Sequence, residues 1–329
     1  MDFLTEYGIF LAKLGTFAVL LMLVVAAVLM LYMRSKSGTD EHLEVRNMNR
    51  KYEQMQLMLQ SAMLPRKQFK QAVKELKARH KQSSGKADEE RKRVFILHFR
   101  GDIRASQVNS LREEVTAVLA VARDSDEVMV VLESGGGTVH GYGLAASQLK
   151  RIRDKGIKLT VAVDKVAASG GYMMACVANR IIAAPFAIIG SIGVLAQIPN
   201  FYRFLKKHDI DFEQLSAGEY KRSLTLFGEN TKQGRERLQT EIEETHDLFK
   251  QFVKDNRSQV DIDKVATGKH WYGQSALDVG LVDELCTSDD YLGNAAAEAD
   301  LYELEYVRKR PFLEKIFGTT AKLFEPQEL

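Results

Sequence analysis

Residues 127–137 read Glu127-Val128-Met129-Val130-Val131-Leu132-Glu133-Ser134-Gly135-Gly136-Gly137. An apolar, β-branched run enters a glycine turn, which is the pattern of a buried strand with an abrupt end. Residues 94–99 (VFILHF) and 158–163 (KLTVAV) share that texture. Residues 106–122 place Val108, Leu111, Val115, Val118 and Leu119 on one helical face, and residues 143–153 read as a second helix. Strand and helix alternate, so a largely parallel sheet covered by helices is expected. In such sheets ligands bind beyond the carboxyl ends of the strands.

The third of these strands leads into Val166-Ala167-Ala168-Ser169-Gly170-Gly171-Tyr172. Small neighbours let other backbone approach the Ser169 hydroxyl, and the glycines permit a sharp turn. Taken alone, the stretch favours a strand-to-helix turn with a capping serine over a nucleophile. Two glycine turns at neighbouring strand ends can aim backbone N–H groups at one point, as an oxyanion hole requires. A phosphate cradle would use similar glycines, but neither turn matches GxxxxGK[ST] or GxGxxG.

Residues 181–198 carry no charge, yet Pro185, Gly190, Gly193 and Gln197 favour buried core strands over a membrane span. Within them Gly190-Ser191-Ile192-Gly193 again sets a serine between glycines. Residues 211–216 read as a strand, followed by a short loop holding Lys221, and residues 231–256 as one long helix.

The N-terminal third has a different character. Residues 14–33 form a 20-residue uncharged run, enough for a hydrocarbon core of about 30 Å. Acidic Asp2 and Glu6 precede it and no small-residue cleavage site closes it, so it reads as a retained anchor rather than a signal peptide. Arg34, Lys36, Arg46, Arg50 and Lys51 follow it, which by the positive-inside rule places the next segment in the cytoplasm. Residues 41–64 have helical, near-heptad spacing at Met48, Tyr52, Met55, Leu59 and Ala62, and a second helical pattern follows Pro65 at Phe69, Val73 and Leu76. From Arg66 to Arg93 there are eleven Lys or Arg against four Asp or Glu, a charge excess suited to anionic headgroups or simply to a solvated helix face. Gln82-Ser83-Ser84-Gly85 reads as a linker.

A net charge of +2 gives no reason to expect a nucleic-acid partner. The two cysteines, Cys176 and Cys286, sit in apolar settings without a Cys or His at metal-ligand spacing, and read as buried thiols.

The stretches LESGGGTVHGYGLAASQL, DKVAASGGYMMACVA, GSIGVLAQ, AGEYKRSLTLFGENT and TGKHWYGQSALDVGLVDE resemble, in order and spacing, the bacterial SohB-type membrane peptidases of the signal peptide peptidase A family. The resemblance covers roughly residues 90–285, and the anchor with its basic linker is similar as well. It implies an α/β, ClpP/crotonase-like fold and a Ser–Lys dyad. Ser169 matches the nucleophile and Lys221 the general base. Ser191 matches the serine that orients that lysine, and Gly136 and Gly170 match the oxyanion N–H donors. It implies an anchor over residues 1–36, a helical basic region over 37–90, the peptidase domain over 91–300 and a tail over 301–329. It further implies no metal or cofactor, peptide substrates derived from membranes or unfolded chains, contact with membrane lipid, and a ring-like homo-oligomer larger than a dimer. The location implied is the bacterial inner membrane with the domain on its outer side, against the positive-inside count. One departure is visible: the family commonly has Ser-Pro-Gly-Gly at the first turn, and here Gly135 replaces the proline, which removes a fixed φ from that loop.

Two other classes fit parts of the pattern. A crotonase-like acyl-CoA enzyme would use the paired N–H groups without Ser169 or Lys221. A non-catalytic membrane scaffold would need neither. His140, close to the first glycine turn, offers a Ser–His pair in place of the Ser–Lys dyad.

Overall fold

The computed structural model describes residues 2–36, 41–83, 91–215, 217–218 and 224–308. Among the described residues ten strands form one mixed sheet: β1 (His42–Asn47), β2 (Arg93–Gly101), β3 (Glu127–Ser134), β4 (Lys158–Val163), β5 (Val166–Ala168), β6 (Arg180–Ala183), β7 (Ile188–Gly190), β8 (His270–Tyr272), β9 (Glu284–Leu285) and β10 (Asp300–Val307). The main path runs β1-β10-β2-β3-β4-β6-β9, and every pairing from β10 to β9 is parallel. Helices Val108–Val121 and Val139–Asp154 are the crossovers from β2 to β3 and from β3 to β4. This is the α/β architecture, a largely parallel sheet with helical crossovers, that the sequence led us to expect.

Alternation along β2 explains how one strand serves two cores. Phe95, Leu97 and Phe99 face one layer, with Leu111, Val115, Tyr142, Leu149 and Ile152 from the two crossover helices. Val94 and Ile96 face the other, with Met48, Met129, Leu292 and Leu301. Both faces are covered, which is why these strands read as continuous apolar runs rather than alternating ones.

At its C-terminal end β3 changes partner. Residues 127–131 pair with β4, whereas Ser134 pairs with Ala167 of β5. Strand β5 then pairs in parallel with β7, and β7 in antiparallel with β8. The sheet therefore forks where the glycine turn begins.

Three expectations need correction. Residues 211–215 hold no strand; they run as irregular, exposed backbone, and Ser216 lies outside the described residues. The helix expected over 41–64 is preceded by β1 and begins only at Met48, capped by the Asn47 side chain accepting from the Arg50 N–H. The strand was missed because Leu43 and Val45 are its only apolar residues, giving an edge strand little hydrophobic signal. Of the proposed seam, Met48 is buried and Tyr52 half-buried, but Met55 and Leu59 are exposed. Third, the uncharged 181–198 run is buried strand only as far as Gly190. Beyond Gly193 it carries no regular structure, and Leu195 is 77% exposed. Apolar composition alone does not distinguish these two halves. Of the 82–85 linker, Gln82 and Ser83 belong instead to the helix Arg66–Ser83, and Ser84 and Gly85 lie outside the described residues.

The N-terminal helix Asp2–Lys36 is a unit separate from residues 43–306. Its stretch Tyr7–Met30 has a mean hydropathy of 2.4 and is long and apolar enough to cross a membrane. Both thiols are free. Cys176 is buried, and that burial pushes its thiol up to about 12. Cys286 is only half-buried, shallower than expected.

Two buried carboxylates behave in opposite ways. Burial alone would raise the Glu127 carboxyl. Hydrogen bonds from Lys92, Thr160 and Tyr291, with Lys158 nearby, outweigh it and hold the group at about 2. Glu114 accepts only the Tyr306 N–H at 2.9 Å, and its other oxygen has no partner among the described residues. Burial there raises its pKa from 4.5 to about 7. A carboxyl with a raised native pKa costs no stability below about pH 4.5, and costs progressively more up to about pH 7. Glu114→Gln should therefore stabilise the fold at pH 8, by at most about 3 kcal/mol, and change little at pH 4. Urea unfolding at the two pH values checks this.

Candidate active site

Three turns meet at the fork. The first is Gly135-Gly136-Gly137 after β3, the second Ser169-Gly170 after β5, and the third Gly190-Ser191 at the end of β7. Register brings the last two together: Ala168 lies opposite Gly190, and the Ser169 N–H donates to the Gly190 carbonyl at 2.7 Å. The first turn is closer still. A Cβ placed on Gly136 would stand 2.8 Å from the Gly170 nitrogen, the Ser169 Cβ and the Ala168 carbonyl. Gly136 also has φ +95°, so glycine is required there on both counts.

Ser169 sits at φ 51° and ψ −117°, a region that side-chain-bearing residues rarely occupy. It precedes the helix Gly170–Ala175, yet its side chain makes no capping hydrogen bond. The capping-serine reading therefore fails. A capping serine has extended backbone and spends its oxygen on the helix N–H groups. Here the backbone is strained and the half-buried hydroxyl is left for other work.

Ser191 also has positive φ, 48°. Its N–H donates to the Lys269 carbonyl at 3.0 Å and its hydroxyl to the Gly268 carbonyl at 3.3 Å. The Gly268 N–H in turn donates to the Ile192 carbonyl at 3.0 Å. Residues 268–270 thus clamp the Ser191 turn from the far end of the chain, a role that the sequence of this segment did not disclose. With its proton directed at Gly268, the Ser191 oxygen retains lone pairs that can accept from an ammonium or amine.

The Gly136 N–H has an internal acceptor, the Ser134 Oγ at 3.1 Å. Gly170 is buried, and a Cβ there would stand 2.4 Å from the Tyr142 ring. His140 is exposed in the first turn of helix Val139–Asp154. Lys221 lies outside the described residues, so Ser169, Ser191, Gly136 and Gly170 are the candidate residues whose positions are described. No cluster of His, Cys, Asp or Glu suited to a metal ion occurs among the described residues.

Comparison with known proteins identifies the setting. Residues 2–149 match the model for the N-terminal region of peptidase family S49, and residues 151–302 match the model for peptidase family S49 itself. A Haemophilus influenzae protein named "Probable protease SohB" is 48% identical over 98% of this chain and 94% of its own length. The chain belongs to peptidase family S49. Relatives of the same name in Buchnera aphidicola are 53% identical over 70% of this chain and 69% of their own (subspecies Acyrthosiphon pisum), and 45% identical over 89% and 99% (subspecies Schlechtendalia chinensis). By this kinship the S49 chain is a SohB-type peptidase, and the function that follows is proteolysis. The boundary between the two matched regions falls inside helix Val139–Asp154. Gly136 therefore comes from the N-terminal region, while Ser169 and Ser191 come from the second.

If backbone strain is held at Ser169, glycine should relieve it and alanine should not. Ser169→Gly is expected to be about 1 kcal/mol more stable than Ser169→Ala, after allowing for the extra freedom of glycine in the unfolded chain. Thermal unfolding of the two variants checks this; equal stabilities would remove the strain argument.

Proposed function

We propose that this chain is a membrane-anchored serine endopeptidase with a Ser169–Lys221 dyad. The observation that carries the proposal is the strained Ser169, which stands at the head of a helix without capping it and is enclosed by two glycine turns. Strain of this kind persists where the surrounding structure holds a group for use.

The chemistry follows from the residue types. A serine hydroxyl is a weak nucleophile until a neighbour takes its proton. A lysine does so only when neutral, which an apolar setting promotes by disfavouring the ammonium. Ser169 Oγ attacks the peptide carbonyl carbon while Lys221 Nζ takes the hydroxyl proton. The carbonyl electron pair moves onto oxygen, where the N–H groups of Gly136 and Gly170 receive it. The Gly136 N–H would reach the oxyanion while still sharing its proton with Ser134 Oγ in a three-centre bond. Collapse breaks the C–N bond, and the lysine proton goes to the leaving amine. Water, activated by the same lysine, then releases the acyl group. Ser191 would orient Lys221 through its oxygen, its own proton being directed at Gly268. No step calls for a metal or cofactor.

The apolar Tyr7–Met30 segment supports a place at the bacterial inner membrane and substrates that are membrane-derived or unfolded peptides. The basic residues that follow support contact with anionic lipid. A ring-like homo-oligomer larger than a dimer completes the proposal; exposed Phe201, Phe204 and Phe212 offer apolar surface for such contacts.

A serine-directed fluorophosphonate tests the dyad. The wild type should label, Ser169→Ala should not, and Lys221→Ala should label at least about a hundredfold more slowly. Equal labelling of wild type and Ser169→Ala would end the peptidase reading. Wild-type rates in Lys221→Ala would end the dyad.

A further inference from the structure

The first glycine turn sets three consecutive glycines, Gly135, Gly136 and Gly137, beside Ser169. Three glycines in a row have the greatest conformational freedom of any tripeptide. An oxyanion hole needs the opposite, because its donors act through being fixed in advance. Something outside the turn must supply the rigidity.

A hydrogen-bonded chain reaches it from below. The Gly136 N–H donates to Ser134 Oγ at 3.1 Å. Ser134 Oγ and Tyr142 Oη are 2.5 Å apart. Tyr142 Oη donates to the Asp102 carbonyl at 2.8 Å. Tyr142 has one hydroxyl proton, and the carbonyl can only accept, so that proton is committed to Asp102. Ser134 must then donate to Tyr142, which leaves its lone pairs for Gly136. All three bonds point the same way, from the glycine turn down to the loop after β2.

The packing is built around this chain. Tyr142 is fully buried, with Phe99 edge-on to its ring. A Cβ on Gly101 would come within 2.2 Å of Tyr142 Oη and 2.5 Å of Ser134 Oγ, so β2 vacates the space that the two hydroxyls occupy. The same tyrosine ring lies against Gly170. One side chain thus bears on both candidate oxyanion glycines: on Gly170 by contact and on Gly136 through Ser134. The Asp102 loop is itself anchored, since the Asp102 carboxylate accepts from the Arg104 and Ser106 N–H groups and the Ser106 hydroxyl, and the Ile103 carbonyl accepts the Thr138 N–H.

We infer that Tyr142, acting through Ser134, is a positioning residue for the oxyanion turn and supplies the rigidity that three glycines lack. The inference rests on the peptidase reading above. Neither residue touches the reacting atoms; both act through the Gly136 peptide.

Turnover of fluorescein-labelled casein by the full-length protein in detergent tests it, with kcat expressed per fluorophosphonate-titrated site. Removing an oxyanion donor outright costs about 10²–10³ in kcat, so loosening one should cost about tenfold. Tyr142→Phe and Ser134→Ala should each show that loss, with KM within about twofold. The double variant should be no worse than either single one, because both break the same chain. Gly135 has open space where a Cβ would stand and no positive φ. Gly135→Ala, which narrows the freedom of the turn, should therefore recover several-fold of the kcat lost in Tyr142→Phe. Leu149→Ala, in the same helix but off the chain, should lower thermal stability while keeping kcat per titrated site.

Unchanged kcat in Tyr142→Phe and Ser134→Ala, or losses that multiply in the double variant, would overturn the relay and leave the peptidase reading intact. A comparable kcat loss in Leu149→Ala would reduce the effect to general destabilisation and also overturn it. A wild type without Ser169-dependent turnover would overturn the peptidase reading, and the relay with it.

Discussion

A strand has one hydrogen-bonding edge on each side, and β3 divides one of those edges between two partners. Its first residues pair with β4 and its last with β5. The rest of the site depends on that division. If β4 held its pairing to the end of β3, the Ser169 turn would have no strand to deliver it beside Gly136. Because the edge is shared, β5 enters as a short second layer that brings β7 and β8 with it. Three turns distant in sequence then end at one place.

Space is rationed at that place more tightly than in an ordinary core. Gly101, Gly136, Gly137, Gly170 and Gly171 would each bring a Cβ within 3.0 Å of a neighbouring heavy atom. For Gly136, Gly137 and Gly171 the obstacle includes backbone, which cannot move aside without moving the sheet. Interiors are packed to crystal-like density, and here the close contacts are mostly between main chains. This is what lets the backbones of separate turns come together, since side chains would hold them apart.

The parallel sheet was legible because its strands are covered on both faces and its crossover helices carry a clear apolar stripe. Strand β4 begins and ends where its pattern does, at Lys158 and Val163. Strand β1 was not legible, since an edge strand with two apolar residues leaves almost no periodic signal. At the site, the serine and glycine turns stood out as residue types. What they do with their hydrogen bonds did not, because that depends on partners far away in the chain. Tyr142 fell just outside the helix read over 143–153, and nothing local tells that its hydroxyl reaches back forty residues to Asp102. The clamp on Ser191 comes from residues 77 and 78 positions downstream, and no local pattern predicts it.

That last distance has a consequence for a chain still being made. Ser169 and both glycine turns leave the ribosome well before residues 268–272, and the Ser191 turn has no clamp until those residues arrive. On the proposed mechanism, a nascent chain would present Ser169 before the framework around it is complete. Hydrolytic competence would then be among the last properties the molecule acquires, which would spare the half-built protein from its own chemistry.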